Sequence, residues 1–349
     1  MFDFKKINID EDRPYWVAFN TFQGIGPVRF LAILKAFGSA ELAWQGSRQE
    51  WKSLNLGDRL KERFFKYRQN FDPPSYFEKL VSGCLGEREG NWGFNNREQK
   101  ENFSWIKKQG RYLLSSPGPI WPLTLVDKEY PSLLRDIDSS PFVLYIKSGL
   151  SKAELKTFFS FPSLAVVGTR RITSYGRQIT KQLTQELAQA GLVIVSGMAR
   201  GVDSVAHQTA LEAGGKTVAV LGCGVDIIYP PENKKLYQLI LKNGLVMSEF
   251  PPGMPPLPGN FPSRNRIIAG MSLGVLVSEG ARKSGSLITA SLAAEFGREV
   301  FAVPGPINSG LSVGPMFLIK NGAKLVSEAE DILEELEFSL DCFGNKGDN

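Results

Sequence analysis

Four short stretches of this chain place arginine or lysine beside glycine and serine just ahead of what read as helix starts. They are Gly168-Thr169-Arg170-Arg171, Ser196-Gly197-Met198-Ala199-Arg200-Gly201, Phe261-Pro262-Ser263-Arg264-Asn265-Arg266 and Glu279-Gly280-Ala281-Arg282-Lys283-Ser284-Gly285-Ser286. Backbone N–H groups at a helix N-terminus attract anions, guanidinium forks hold phosphate oxygens bidentately, and glycine lets the backbone approach a ligand. Without an anion, a cation in a first helical turn loses a few tenths to about 1 kcal/mol against the macrodipole. Pro262-Ser263 reads as a start signal, which puts Arg264 and Arg266 in such a turn. One basic helix start is ordinary surface, whereas several on one sheet edge favour an extended site for successive phosphates. The candidate phosphate contacts are Gly168, Thr169, Arg170, Arg171, Ser196, Gly197, Arg200, Gly201, Arg264, Asn265, Arg266, Lys283, Ser284, Gly285 and Ser286.

Other chemistries fit less well. Gly168-Thr169-Arg170-Arg171 is not a GxGxxG fingerprint, the second strand ends in Ser-Gly instead of a ribose-binding acid, and no GxxxxGK[ST] occurs. NAD and ATP are therefore not expected, and no cofactor or metal is. His207, the only histidine, has no metal partners and no adjacent nucleophile, so a structural role is favoured. Cys223 between two glycines reads as a small packing residue. Glu249 and Glu279 each follow a serine at a strand end; they suit nucleoside hydrolysis, or they accept hydrogen bonds from loop N–H groups or from Arg264 and Arg266, and the second role is preferred. Among the aromatics near the basic turns, Tyr175 and Phe261 are candidates for stacking on bases, though each ring serves a core equally well.

The elements that position these turns are legible in the periodicity. From residue 163, apolar runs such as LAVVG, LVIVSG, KTVAVLG, LVMSEF, GVLVSEG and EVFAVPG alternate with amphipathic segments. That alternation predicts an α/β fold: a Rossmann-like, doubly wound, mostly parallel sheet, with ligands at the carboxyl ends of its strands. Gly191, Gly214, Gly244 and Gly297 each stand where a C′ glycine closes a helix. Residues 14–80 are helical, and Gly24-Ile25-Gly26-Pro27 links two helices in a helix-hairpin-helix-like pattern that favours plain packing over a phosphate contact. The predicted organisation is a small all-helical domain over 1–85, a polar linker or insertion over 86–110, the Rossmann-like domain over 111–335 and a loose tail over 336–349.

The bulk numbers agree with a folded, mildly basic protein. The chain has 349 residues, 42% of them hydrophobic, and a formal charge of +5, which permits nucleic acid as a partner without requiring it. Three cysteines, Cys84, Cys223 and Cys342, give no disulfide framework or metal spacing, so a reducing cytoplasm is the expectation. No run approaches the ~18 apolar residues of a membrane span, and no targeting segment is recognised.

In order, VVGTRRITSYG, IVSGMARGVDSVAHQTAL, GKTVAVLGCGVDIIYPPENKKL, SEFPPG, FPSRNRIIAGMS and SGSLITASLAAEFGREVFAVPG closely resemble the DNA-processing protein A family, also called DprA or Smf, over about residues 111–310. The helical N-terminus looks like the sterile-alpha-motif-like domain of many members. The resemblance implies a cytoplasmic, non-enzymatic homodimer that binds and shields single-stranded DNA during natural transformation and loads the recombinase RecA. It also implies that Arg170 matches the family's DNA-contacting arginine and that Arg264 and Arg266 match those of its FPxRNR motif. Where many relatives carry a lysine after Tyr-Pro, this chain has Pro231, leaving Lys234 and Lys235 to supply charge. The alternatives are a lysine-decarboxylase-like phosphoribohydrolase, whose PGGxGTxxE run is missing here, and a nucleotide-sensing module.

Overall fold

Continuous apolar runs make strands that are buried on both faces, and such strands need helices above and below. A computed structural model of the chain describes residues 7–85 and 113–336; the expected linker 86–110 and nearly all of the expected tail lie outside them. The strands in chain order are β1 (Leu113–Leu114), β2 (Trp121–Thr124), β3 (Val143–Lys147), β4 (Ser163–Val167), β5 (Val193–Ser196) and β6 (Thr217–Val220), then β7 (Ile227–Ile228), β8 (Leu245–Ser248), β9 (Gly274–Val277), β10 (Glu299–Ala302) and β11 (Lys324–Leu325). Every residue of β3, β4, β5, β6, β8 and β9 is buried.

The main sheet runs β11-β10-β9-β4-β5-β6-β8-β3-β2. All its pairings from β11 to β8 are parallel, and β3 and β2 extend the β8 edge in antiparallel fashion. The chain leaves β4 toward β5, β6 and β8, then returns to β9 on β4's other side. Connections therefore diverge between β4 and β9, and a crevice opens outside the carboxyl ends of those two strands. This is the doubly wound, mostly parallel α/β arrangement that the alternation predicts.

The predicted helix stops hold at all four glycines, and three of them take the left-handed conformation of a C′ residue. Gly191, Gly214 and Gly297 adopt φ of +95°, +75° and +67°, as a C′ residue does. Gly244 does not, since its backbone is extended at φ −157°. A Cβ there would lie 2.3 Å from the Thr217 carbonyl, so this glycine permits close approach between β8 and the start of β6.

Among the described residues six helices precede the sheet: α1 (Ile9–Thr21), α2 (Pro27–Phe37), α3 (Ala40–Gln45), α4 (Arg48–Trp51), α5 (Asp58–Arg68) and α6 (Pro73–Ser82). Their core is aromatic, with Phe64 stacked on Phe19 at 5.1 Å and on Trp51 at 4.5 Å. Asp12 fixes the α1–α3 crossing by accepting from Ala40 N, Glu41 N and Trp16 Nε1. The Gly24–Pro27 turn serves packing: Ile25 is buried, and Pro27 starts α2, where a missing N–H costs nothing. The unit is fastened to the sheet by Phe30 stacked on Phe142 at 4.1 Å and by a pair of hydrogen bonds from Arg13 to Asp127. Buried residues from Trp16 to Val246 thus form one continuous cluster.

Candidate functional site

The turn after β4 is held by its own backbone. Thr169 N donates to the Glu279 carbonyl at 2.7 Å, and the Thr169 carbonyl accepts from Val202 N at 3.1 Å. Gly168 allows this crossing, because a Cβ would lie 2.5 Å from Val202 and 2.7 Å from the Glu279 carbonyl. Thr169 is consequently buried while Arg170 and Arg171 are exposed. The Glu279 carboxylate accepts from Thr173 N at 3.0 Å and Thr173 Oγ1 at 2.6 Å. Thr173 in turn caps the helix Ser174–Gln189.

The loop after β5 turns its N–H groups inward. Asp203 accepts from Gly197 N and Ala199 N, and His207 Nε2 accepts from Met198 N. Ser196 Oγ donates to the Val166 carbonyl at 2.6 Å. Gly201, at φ +78°, passes where a Cβ would stand 2.2 Å from the Thr169 carbonyl. Ser196, Gly197 and Gly201 therefore shape the site, and the amides of residues 197–199 are occupied by Asp203 and His207.

His207 is fully buried, and both ring nitrogens are engaged. Thr217 Oγ1 donates to the Ile194 carbonyl, so the ring must donate to it from Nδ1–H and accept at Nε2. Burial, with Arg264 nearby, pushes its pKa down from 6.5 to about 3. The unfolded chain takes up this proton near 6.5 and the folded chain only near 3, so stability present above 6.5 is lost as pH falls through that window. His207→Gln should be destabilised at neutral pH, and its deficit relative to the parent should shrink by about 1 kcal/mol between about pH 7.5 and about pH 5.5 in paired urea titrations. Buried carboxyls with raised values, such as Asp203, oppose this trend but are common to both proteins. A pH-independent difference would refute the buried neutral imidazole.

The helix carrying Arg264 begins at Asn260, earlier than Pro262-Ser263 suggests, so both arginines stand in the second turn. Pro262 is tolerated because first-turn N–H groups have no intrahelical partner. The macrodipole penalty expected for a first turn is thus largely absent. Two positions apart on a helix is about 200° of rotation, and the side chains diverge accordingly. Arg264 runs toward β5 and β6, where Nη1 donates to the Val220 carbonyl at 2.9 Å. It lies over Gly197, whose Cβ would fall 1.4 Å from Nη1, and is only 5% exposed. Burial pulls its pKa down, while Asp203 opposes that and Arg170 adds to it. Arg266 turns away to Glu249, with which it forms a close ion pair. Glu279 partners neither arginine among the contacts found; Asp203 supplies Arg264's counter-charge.

A cavity of about 450 Å³ opens at the β4–β9 divergence. Arg170, Arg171, Arg264 and Lys283 line it, with Ser284 and Ser286 at the start of the helix Gly285–Glu295. Asn265 is fixed there by donating from Nδ2 to the Gly285 carbonyl at 3.3 Å. Phe261 stands at the rim between the Tyr229 ring, 5.6 Å away, and the Arg170 guanidinium, 5.6 Å from its centroid. Gly222 makes room for it, since a Cβ would approach within 2.9 Å. Of the remaining candidates, Arg200 lines a small neighbouring cavity with Arg170, Phe261 and Arg264, whereas Lys234, Lys235 and Tyr175 lie apart. Arg200 pairs with Glu232 on the surface, Lys234 and Lys235 are exposed at the start of another helix, and Tyr175 donates its hydroxyl to the Pro304 carbonyl outside the cavity. Asp203 is the residue that sequence reasoning passed over; an acid in the first turn after the left-handed Gly201 was the available signal.

Among the described residues no three His, Cys, Asp or Glu side chains gather as a metal site, and no helix is long and apolar enough to cross a membrane. Residues 121–337 match the family model for DNA recombination-mediator protein A. Protein Smf of Synechocystis sp. is 35% identical over 327 residues, spanning 94% of this chain and 73% of that protein. DNA processing protein DprA of Streptococcus pneumoniae is 46% identical over 215 residues, spanning 62% of this chain and 74% of that protein. The solved structure of Streptococcus pneumoniae DNA processing protein A superposes with a TM-score of 0.62 at 33% identity, covering 92% of this chain and 96% of that one. A structure addressing the single-stranded DNA binding mode of Helicobacter pylori DNA processing protein A gives 0.55 at 31%, covering 63% and 96%. Every turn that builds the cavity lies inside the matched stretch, and the chain belongs to the DNA recombination-mediator protein A (DprA/Smf) family.

Proposed function

We propose that this chain binds single-stranded DNA along the carboxyl edge of the sheet and delivers it to RecA, acting in the cytoplasm as a homodimer and without chemistry on the strand. The observation that carries the reading is the cavity itself: exposed Arg170, Arg171 and Lys283 surround the buried Arg264 guanidinium, with Phe261 beside Arg170 as a stacking face. Cations beside an aromatic ring suit a flexible phosphate chain with unpaired bases. The single-stranded DNA binding of the Helicobacter pylori relative supports the ligand, and the family's designation as recombination mediators supports the hand-over to a recombinase. A binding role is favoured over hydrolysis because the cavity offers no free base. Glu279 is consumed by Thr173, the Asp203 carboxyl accepts from two amides, and the Cys223 thiol is buried and pushed far up.

Arg170→Glu and Lys283→Glu are each expected to weaken oligonucleotide binding at least about tenfold for every sequence, and to lower the slope of log K against log salt by about 1. Fluorescence anisotropy over a salt series checks this, and unchanged affinity in both variants would refute the site. RecA filament growth on strands presented with and without the chain, together with solution mass, tests delivery and dimerisation.

A further inference from the structure

On its β6 side the basic cavity adjoins a smaller one, of about 40 Å³, which Arg200, Leu221 and Tyr229 line together with Arg170, Phe261 and Arg264. Arg170, Ala199, Phe261 and Arg264 are common to both, so the two openings meet across the Phe261 ring and carry the site from Ser284 as far as Arg200. Arg200 stands there for a backbone reason. A Cβ at the left-handed Gly201 would lie 3.0 Å from the Arg170 Cα, so the chain at 200–201 is pressed against the turn that carries Arg170.

Arg200 differs from the other exposed cations of the groove in being occupied. Among the described residues Arg170, Arg171 and Lys283 form no ion pair, whereas Arg200 Nε donates to the Glu232 carboxylate. Both partners are held before they meet. Glu232 lies in the short 3₁₀ turn Pro231–Asn233, and Asn233 Nδ2 ties that turn to the loop after β5 by donating to the Met198 carbonyl at 2.8 Å and to Ser204 Oγ at 2.9 Å. Arg200 keeps the Glu232 carboxyl below its ordinary range, so the acid is anionic at neutral pH. With side chains 63% and 45% exposed, the pair adds little to the fold. It is also open to exchange, because a phosphate diester offers a guanidinium the same two-oxygen face as a carboxylate.

We propose that Glu232 is a built-in competitor of the strand: in the free chain its carboxylate occupies Arg200, and a strand that crosses Phe261 displaces it and sets a phosphate in its place. The proposal rests on the single-stranded DNA reading and adds regulation of the same site to it. A strand already held at Arg170 and Lys283 presents its next phosphate to Arg200 at high effective concentration. A lone anion has no such advantage and meets Glu232 first. The ion pair thereby favours a polymer of phosphates over free phosphate, through a residue that touches neither.

The test is binding of the full chain to (dU) oligonucleotides of about 20 residues, by fluorescence anisotropy at fixed ionic strength. Glu232→Gln keeps the size of the side chain and removes the competing charge. It should tighten binding about 5-fold, the upper worth of an exposed ion pair, with the thermal midpoint retained. In an Arg200→Gln background the same substitution should change affinity by less than about 2-fold, because only a screened, distant charge is then lost. Equal tightening in both backgrounds would mean that Glu232 acts on the strand through its charge alone, and unchanged affinity in Glu232→Gln would mean that the strand never reaches Arg200; either result overturns the proposal. If Arg170→Glu weakens binding while the Arg200 and Glu232 variants match the parent, the basic cavity stands and the displacement falls. If the parent binds no strand, both readings fall. Millimolar inorganic phosphate, at constant ionic strength, should leave strand binding by the parent unchanged. Competition that disappears in Arg200→Gln would assign the position to a free anion and overturn its place in a strand interface.

Discussion

Gly197→Ala is expected to cost about 3 kcal/mol of stability and to weaken single-stranded DNA binding at least as much as Arg170→Glu does. The added methyl would stand 1.4 Å from Arg264 Nη1 and 2.3 Å from its Cζ, an overlap that the guanidinium can escape only by leaving its slot. Leaving breaks the hydrogen bond to the Val220 carbonyl and removes the positive charge that faces Asp203. Both groups lost are buried, and truncating one partner of a buried charge constellation typically costs about 3–5 kcal/mol. Some of that returns if the displaced arginine finds solvent in the cavity, hence the lower figure. Arg264→Met provides the control: with a slimmer side chain over Gly197, the alanine should cost little in that background, so the two substitutions should be strongly non-additive in a double-mutant cycle by urea denaturation. Additive effects, or a Gly197→Ala variant within about 0.5 kcal/mol of the parent, would mean that Arg264 is not held where the structure places it.

That expectation shows which parts of the site were legible in the sequence. The strands from β4 onward, and with them the carboxyl edge, follow from apolar runs long enough to be buried on both faces and from stops at Gly191, Gly214 and Gly297. Arg170, Arg171, Arg264, Lys283 and Ser284 meet at one cavity because the turns they occupy share that edge. What a linear reading does not contain is direction. Glycine beside serine at a strand end reads as an open phosphate cradle, yet Gly197 is bare because a guanidinium from a helix 67 positions later lies on it. The inward turn of the 197–199 amides depends on Asp203 and His207 being on the buried face of their helix, which the weak amphipathicity of VDSVAHQTALE does not disclose. Gly244 stands where a C′ glycine belongs but serves close approach of strands, a distinction fixed only by tertiary contact.

The same loss of direction bears most on Arg266, which the FPSRNR stretch presents as Arg264's equal. Arg266→Met is expected to destabilise the fold by about 3–5 kcal/mol at neutral pH, yet to leave binding of (dU) strands within about twofold of the parent. Arg266 and Glu249 are 14% and 13% exposed, and among the described residues the ion pair is the only hydrogen bond of the Glu249 carboxylate, whose Oε1 has none. Burial already pushes the Glu249 carboxyl above its ordinary range, with Arg266 pulling it back. Removing the arginine raises it further, so the folded variant takes up a proton at a pH where the unfolded chain does not. Proton uptake by the folded state stabilises it as pH falls, and the variant's deficit should therefore shrink on acidification from neutral toward the ordinary carboxylate range, by at most about 1.4 kcal/mol per pH unit. Glu249→Gln in the Arg266→Met background should recover most of the loss at neutral pH, because the buried charge is gone while an acceptor oxygen remains. Urea titrations at two pH values and anisotropy on the same samples separate the roles. A variant of parental stability that no longer binds strands would transfer Arg266 from the scaffold to the interface, and would make the helix Asn260–Gly270 present both of its arginines to DNA.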